Sequence, residues 1–143
     1  MAITQLSVFV ENKSGRLASI AELLASNNVN LRALSIADTA DFGVLRVIVD
    51  DTEKAQSVLS EAGIAVKRTS VIAVAIDDIP GGLSKILSTI SNSGLVIEYM
   101  YAFVGKSHKK AITVIRTDDM EATASVLLQN GIHVLDEEEV ENI

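Results

Sequence analysis

Two short segments carry residue types suited to holding a small polar molecule. One reads Glu11-Asn12-Lys13-Ser14-Gly15-Arg16-Leu17, the other Asp77-Asp78-Ile79-Pro80-Gly81-Gly82-Leu83. Each lies between an alternating apolar run and a run of helical periodicity, so each opens a helix. The first N–H groups of a helix have no partner inside it, and with the helix dipole they favour an anion such as a carboxylate. Glycine lets a ligand approach the backbone closely. The carboxylates of Glu11, Asp77 and Asp78 are available to assist an ammonium group. The same residues also have a plainer reading, a tight entry into a helix with no ligand at all.

The remaining reactive residue types do not assemble into chemistry. His108 and His133 stand alone, outside any metal-ligand spacing. Gly105-Lys106-Ser107 mimics the end of a phosphate loop, but Met100 stands where the motif needs its first glycine, and a strand is expected after it. Glu137-Glu138-Glu139 is a charge run in an acidic tail, Asp136 to Glu141, expected to be solvated. Cysteine is absent, which removes disulfides and thiolate chemistry. No catalytic residue, metal or cofactor is therefore assigned. Net charge is −7 and the pI about 4.7, which disfavours nucleic acid and anionic membrane surfaces. Tyr99, Tyr101 and Phe103 alternate along an expected strand and could stack bases. The acidic balance argues instead for packing on a neighbouring sheet. No basic leader precedes the first strand and no apolar run is long enough for a membrane span, so the expected compartment is the cytoplasm.

The elements that must position the two segments form an internal repeat. Val8, Gly15, Leu17, Ile20 and Leu31 align with Val74, Gly81, Leu83, Ile86 and Ile97. Asp50-Asp51, Glu53, Ser57-Val58-Leu59 and Gly63-Ile64 align with Asp118-Asp119, Glu121, Ser125-Val126-Leu127 and Gly131-Ile132. The second copy has a slightly longer hairpin between Ala102 and Ile112. Copy one reads as a strand Ile3–Val10, then a helix carrying Leu17, Ile20, Ala21 and Leu24 and ended by Asn27-Asn28. Strand Val29–Ala37, a turn at Asp38–Asp41 and strand Val44–Val49 follow. A second helix is capped by Asp51-Thr52, carries Ala55, Val58, Leu59 and Ala62, and stops at Gly63. Strand Ile64–Thr69 closes the unit.

The order β-α-β-β-α-β predicts an α+β chain of two tandem ferredoxin-like units with antiparallel sheets and helices on one face. The expected domains are 1–69 and 70–143, joined without a linker, with eight strands in all. The helix-free faces need a cover. Tyr99, Tyr101, Phe103, Leu34 and Ile36 are the expected residues there, and a homodimer is the expected cover. Aromatics are only 3% of the chain, so the core must be aliphatic.

With these motifs in this order, the sequence resembles the ACT-domain family, small-molecule-binding regulatory modules of amino-acid metabolism. The residues carrying the resemblance are Asn12 to Leu17, Ile79-Pro80-Gly81-Gly82-Leu83, Asn28-Val29-Asn30-Leu31, Glu61-Ala62-Gly63-Ile64 and Gln129-Asn130-Gly131-Ile132. Two such modules with almost nothing else are similar to free-standing tandem ACT proteins, some like acetolactate synthase regulatory subunits. The resemblance implies a free amino acid bound between neighbouring domains, at the junction of the two copies. It would be held by one Asn before the Pro-Gly turn and another beginning the second strand, here Asn12 and Asn30, next to Leu31. Copy one has Ser14 where the family often has Pro. Copy two keeps Pro80-Gly81 but has Asp78 and Val96 at the amide positions.

The expected function is a non-catalytic amino-acid-binding regulator, with an enzyme of amino-acid metabolism as a possible partner. An assembly subunit that holds a partner enzyme without a ligand of its own is the alternative. A small acylphosphatase-like enzyme is a third reading, supported only by Arg16 beside Asn12.

Overall fold

The computed structural model describes residues 2–11, 13–38, 42–103 and 110–143. Asn12, Gly105, Lys106, Ser107, His108 and the turn following Asp38 lie outside them. The elements are β1 (Ile3–Glu11), α1 (Arg16–Ser26), β2 (Leu31–Asp38), β3 (Phe42–Val49), α2 (Thr52–Glu61) and β4 (Val66–Asp77). They continue as α3 (Gly82–Asn92), β5 (Ile97–Ala102), β6 (Lys110–Thr117), α4 (Met120–Gln129), β7 (Val134–Leu135) and α5 (Glu137–Glu141). The chain divides into two compact units, Thr4–Thr69 and Ser70–Ile143, the latter taking in the first residues through Ile3.

In the first unit β3 lies between β1 and β2, antiparallel to both. The Phe9 N–H donates to the Ala65 carbonyl at 3.0 Å, which lays the approach to β4 along β1. In the second unit β6 lies between β4 and β5, and β7 pairs with β4. This is the ferredoxin-like pattern in each copy. One difference concerns the strand count. Ile64–Thr69 and the run from Val71 were expected as separate strands, but β4 runs unbroken from Val66 to Asp77, giving seven strands among the described residues. Nothing between Lys67 and Val71 can break an extended chain, since the segment holds neither Gly nor Pro.

Both cores are aliphatic. Leu6 and Val8 of β1, Leu45, Val47 and Val49 of β3, Ile20 and Leu24 of α1, and Ala55 and Leu59 of α2 form one buried cluster. Ile72, Val74 and Ile76, Ile115, Ile86 and Ile90, and Ala124 and Leu127 form its counterpart. In each unit, therefore, both helices cover the same face of the sheet.

Leu34 and Ile36 do not sit on the helix-free face, as the alternation of β2 suggested. The register shifts between Leu31 and Ala33, and beyond it Leu34 pairs with Val47 and Ile36 with Leu45, both core residues of the helix side. Side chains directly opposite across a ladder share a face, so the irregularity turns Leu34 and Ile36 towards the helices. Tyr99 and Tyr101 do lie on the helix-free face, opposite Arg116 and Val114, with ring centroids 6.4 Å apart. Ala33, Ile48, Ala73 and Val114, also on helix-free faces, are buried within the single chain. The premise for a homodimer is thus weaker than the sequence suggested.

The tail is a second correction. Asp136–Glu141 is not simply solvated: Glu137–Glu141 forms α5, closed by a capping box in which Asp136 accepts from the Glu139 N–H at 2.8 Å. Val140 of this helix is only 1% exposed.

Candidate ligand site

The four long helices begin in two different ways. Asp51 and Asp119 cap α2 and α4, their carboxylates accepting from the N–H groups of Lys54 and Ala122 at 3.1 and 3.0 Å. The helices that follow the two candidate turns have no such cap. α1 and α3 start at Gly15 and Gly81, both left-handed, with φ of 84° and 88°, and no side chain bonds their first N–H groups. A left-handed residue at this point favours glycine, whose lack of a side chain also keeps the helix end open.

At the first turn the Lys13 N–H donates to the Glu11 carbonyl at 2.8 Å, and the Arg16 N–H to the Lys13 carbonyl at 3.2 Å. This folds the chain back so that α1 starts above the ends of β1 and β3. A cavity of about 230 Å³ opens there. Its walls are Val10, Leu17, Ile36, Gly43 and Leu45, and its charged rim is Glu11, Lys13 and Arg16. Leu17 and Ile36 are large aliphatic side chains left 40% and 49% exposed, with Leu34 on the same face of β2 also exposed. Lys13 Nζ lies 3.1 Å from Glu11 Oε2. That hydrogen bond, then the charges of Lys13 and Arg16, hold the Glu11 carboxyl below its ordinary value. The Arg16 guanidinium makes no hydrogen bond or ion pair among the described residues.

Seven of the residues singled out in copy one thus divide plainly. Glu11, Lys13, Arg16 and Leu17 line the cavity; Ser14 and Gly15 shape the turn beneath it; Asn12 lies outside the described residues. Asn30 and Leu31 are elsewhere in the unit. Leu31 pairs with Val49, whereas Val10 beside the cavity pairs with Gly43. The offset from Gly43 to Val49 is about 20 Å along the strand. The Asn30 N–H donates to Asp50 Oδ1 at 2.9 Å, and its carbonyl accepts from the Asp50 N–H at 3.1 Å.

The second turn has the same backbone plan and different chemistry. The Ile79 N–H donates to the Asp77 carbonyl and the Gly82 N–H to the Ile79 carbonyl, at 2.9 and 3.0 Å. A Cβ on Gly82 would stand 2.1 Å from the Asp77 carbonyl oxygen, so glycine is required for packing there. Asp77 pairs with Lys110 at 2.5 Å, and that hydrogen bond and charge lower its pKa. Asp78, Ile79, Pro80, Gly81 and Leu83 are exposed. In the repeat, Lys13, Arg16, Ile36 and Leu45 correspond to Ile79, Gly82, Ala102 and Thr113. Lys13, Arg16 and the bulky walls supplied by β2 and β3 therefore have no counterpart in copy two, whereas Val10 and Leu17 are kept as Ile76 and Leu83. A smaller cavity of about 130 Å³ opens on the other flank of α3, among Asp77, Gly82, Lys85, Lys110 and His133. His133 Nε2 lies 2.6 Å from Glu139 Oε2. Among the described residues no group of His, Cys, Asp or Glu could hold a metal ion. No helix among them is long and apolar enough to cross a membrane.

The sequence reading missed Val10, Ile36, Gly43 and Leu45 as part of the site. Leu45 was readable from the alternation of β3; Gly43 was not, because it precedes the expected strand Val44–Val49, and Ile36 was not, because the shift after Leu31 inverts its side.

Two β-α-β-β-α-β units in one chain define a class of paired ferredoxin-like domains. The chain belongs to the ACT domain pair family, whose model matches residues 1–143. It is similar to a protein of Bacteroides thetaiotaomicron of known crystal structure, with 41% identity and a TM-score of 0.92, over 100% of this chain and 98% of that one. The ligand-free regulatory subunit of aspartate kinase from Thermus thermophilus aligns with a TM-score of 0.58 and 16% identity, over 88% of this chain and 90% of that one. The corresponding subunit from Thermus flavus gives 0.54 and 17%, over the same shares. At such identities the two Thermus proteins share the fold. A comparison with curated proteins finds no match.

Proposed function

We propose that this chain is a non-catalytic regulator that binds a free amino acid at the Glu11–Leu17 turn. The observation that carries the reading is the cavity at the uncapped start of α1, with Arg16 at its rim. The ligand carboxylate takes N–H groups of the first turn beyond Arg16, whose own N–H is held by the Lys13 carbonyl, and the Arg16 guanidinium, whose fork matches a carboxylate. The ammonium takes the Glu11 carboxylate, with the Asn12 amide as the resemblance implies. Asn30 and the turn Asp77–Leu83, expected from the sequence as ligand contacts, are not among the residues lining this cavity. No covalent step is required of any residue, and the chain acts in the cytoplasm by altering a partner enzyme of amino-acid metabolism. The fold shared with aspartate kinase regulatory subunits supports that mode of action.

A second reading, assembly without a ligand, is favoured by Phe9 and Phe42, 46% and 55% exposed on adjacent strands of the helix-free face. Such a pair suits a homodimer or a partner enzyme. A thermal-shift screen with the twenty amino acids separates the readings. A ligand at a hundred times its Kd stabilises the fold by about 2.7 kcal/mol. A melting temperature unmoved by all twenty at millimolar concentration refutes the sensor.

A further inference from the structure

Resting on that reading, we infer that the ligand is an amino acid with a branched aliphatic side chain, which packs into the cavity behind Arg16. Four observations converge. The walls offered to a ligand side chain are Val10, Leu17, Ile36 and Leu45, with no polar side chain among them. Two of these, Leu17 and Ile36, are large aliphatics that the chain leaves exposed. Ligand carbon would bring them the contacts they lack.

All the charge sits on the rim, beside the helix start, where the ligand's own charged groups must lie. Arg16 is unpaired among the described residues and can receive the carboxylate. Among the described residues the Glu11 carboxylate is ion-paired with Lys13, whose side chain is 73% exposed. So open a pair is weak, and an ammonium can replace the lysine. A ligand with a charged side chain would have to bury that charge against hydrocarbon, at a large penalty. Finally, the repeat supplies an internal contrast. In copy two Arg16 and Lys13 become Gly82 and Ile79, while Ile36 and Leu45 become Ala102 and Thr113. The rim cations and the bulky walls from β2 and β3 are lost together, as expected if they serve one ligand, while Val10 and Leu17 persist as Ile76 and Leu83.

Calorimetric titration of the full chain tests this with leucine, valine, alanine, serine, lysine, aspartate and the 2-oxo acid of leucine. Leucine should bind most tightly, each added side-chain carbon improving affinity by up to about fourfold. Arg16→Gln should weaken leucine and valine alike, by tenfold or more. Gly43→Val places a side chain on the face of β3 that carries Leu45, inside the cavity. It should bring leucine down towards the affinity of alanine, with an unchanged melting curve showing that the variant is folded.

Serine, lysine or aspartate binding above leucine, with loss in Arg16→Gln, overturns the aliphatic class and leaves the sensor standing. The 2-oxo acid binding as tightly as leucine overturns the amino-acid assignment. A folded Gly43→Val with the wild-type leucine-to-alanine ratio removes the side chain from this cavity. If none of the seven binds, this inference falls, and the thermal screen with all twenty then decides the sensor.

Discussion

At the residue scale the two turns contain glycines of different kinds. Gly15 has φ of 84°, and a Cβ there would meet nothing within 4 Å. The sequence suggests that a side chain at Gly15 would block a ligand's path; the structure makes backbone conformation the stronger reason for glycine. Gly82 is the reverse case: its Cβ would strike the Asp77 carbonyl oxygen at 2.1 Å. Gly15→Ala should therefore cost about 1–2 kcal/mol of stability from the left-handed conformation alone. Gly82→Ala should cost more, about 3 kcal/mol, because backbone must move to admit the methyl group. Urea denaturation of both variants checks the order, and equal losses would contradict this account. The rim residues Glu11, Lys13 and Arg16 were legible because type and turn position coincide. Which of them is already paired was not, since a contact such as Lys13–Glu11 depends on the particular fold of the turn.

At the element scale, most of the fold was written in capping and periodicity. Asp51 and Asp119 start α2 and α4 as the Asp51-Thr52 pair and its alignment with Asp119 suggest, and Gly63 and Gly131 follow their ends in left-handed conformation. Two features escaped. The reversal of Leu34 and Ile36 follows from a register shift that leaves no mark in an alternating pattern. α5 was hidden by its charge: Glu137-Glu138-Glu139 reads as a solvated run, yet Asp136 and Glu139 have the spacing of a capping box and Val140 follows as the single apolar anchor. Val140→Asp should thus destabilise the chain by about 2–3 kcal/mol, burying a charge in place of a fully buried aliphatic group. Glu138→Ala, on the exposed side of the same helix, should stay within about 0.5 kcal/mol of the wild type. A denaturation midpoint that Val140→Asp leaves unmoved would return the tail to the solvated state expected from its charge.

At the scale of the whole molecule the central fact is a duplication whose halves have diverged at the first helix entry. Strand order, helix caps and aliphatic cores repeat from unit to unit, while the chemistry at the first helix entry does not. The divergence bears on stoichiometry. If the site needed only an uncapped helix start, the chain would take two equivalents, since α1 and α3 both begin at a left-handed glycine without a side-chain cap. If it needs the Arg16 fork and the aliphatic walls as well, it takes one. The chain's charge sharpens the difference. With 19 acidic residues against 12 Lys and Arg, its field repels anions, so a carboxylate needs local cations. Lys13 and Arg16 supply them at the turn into α1; at the turn into α3 Ile79 and Gly82 stand in their places, and the nearby Lys110 is already paired with Asp77. Titration with leucine should give one equivalent per chain. Its affinity should fall several-fold on raising salt from 50 to 500 mM, as expected for an exposed guanidinium–carboxylate contact. Two equivalents of similar affinity, surviving Arg16→Gln, would show that the helix starts suffice and that the divergence of the copies serves another purpose.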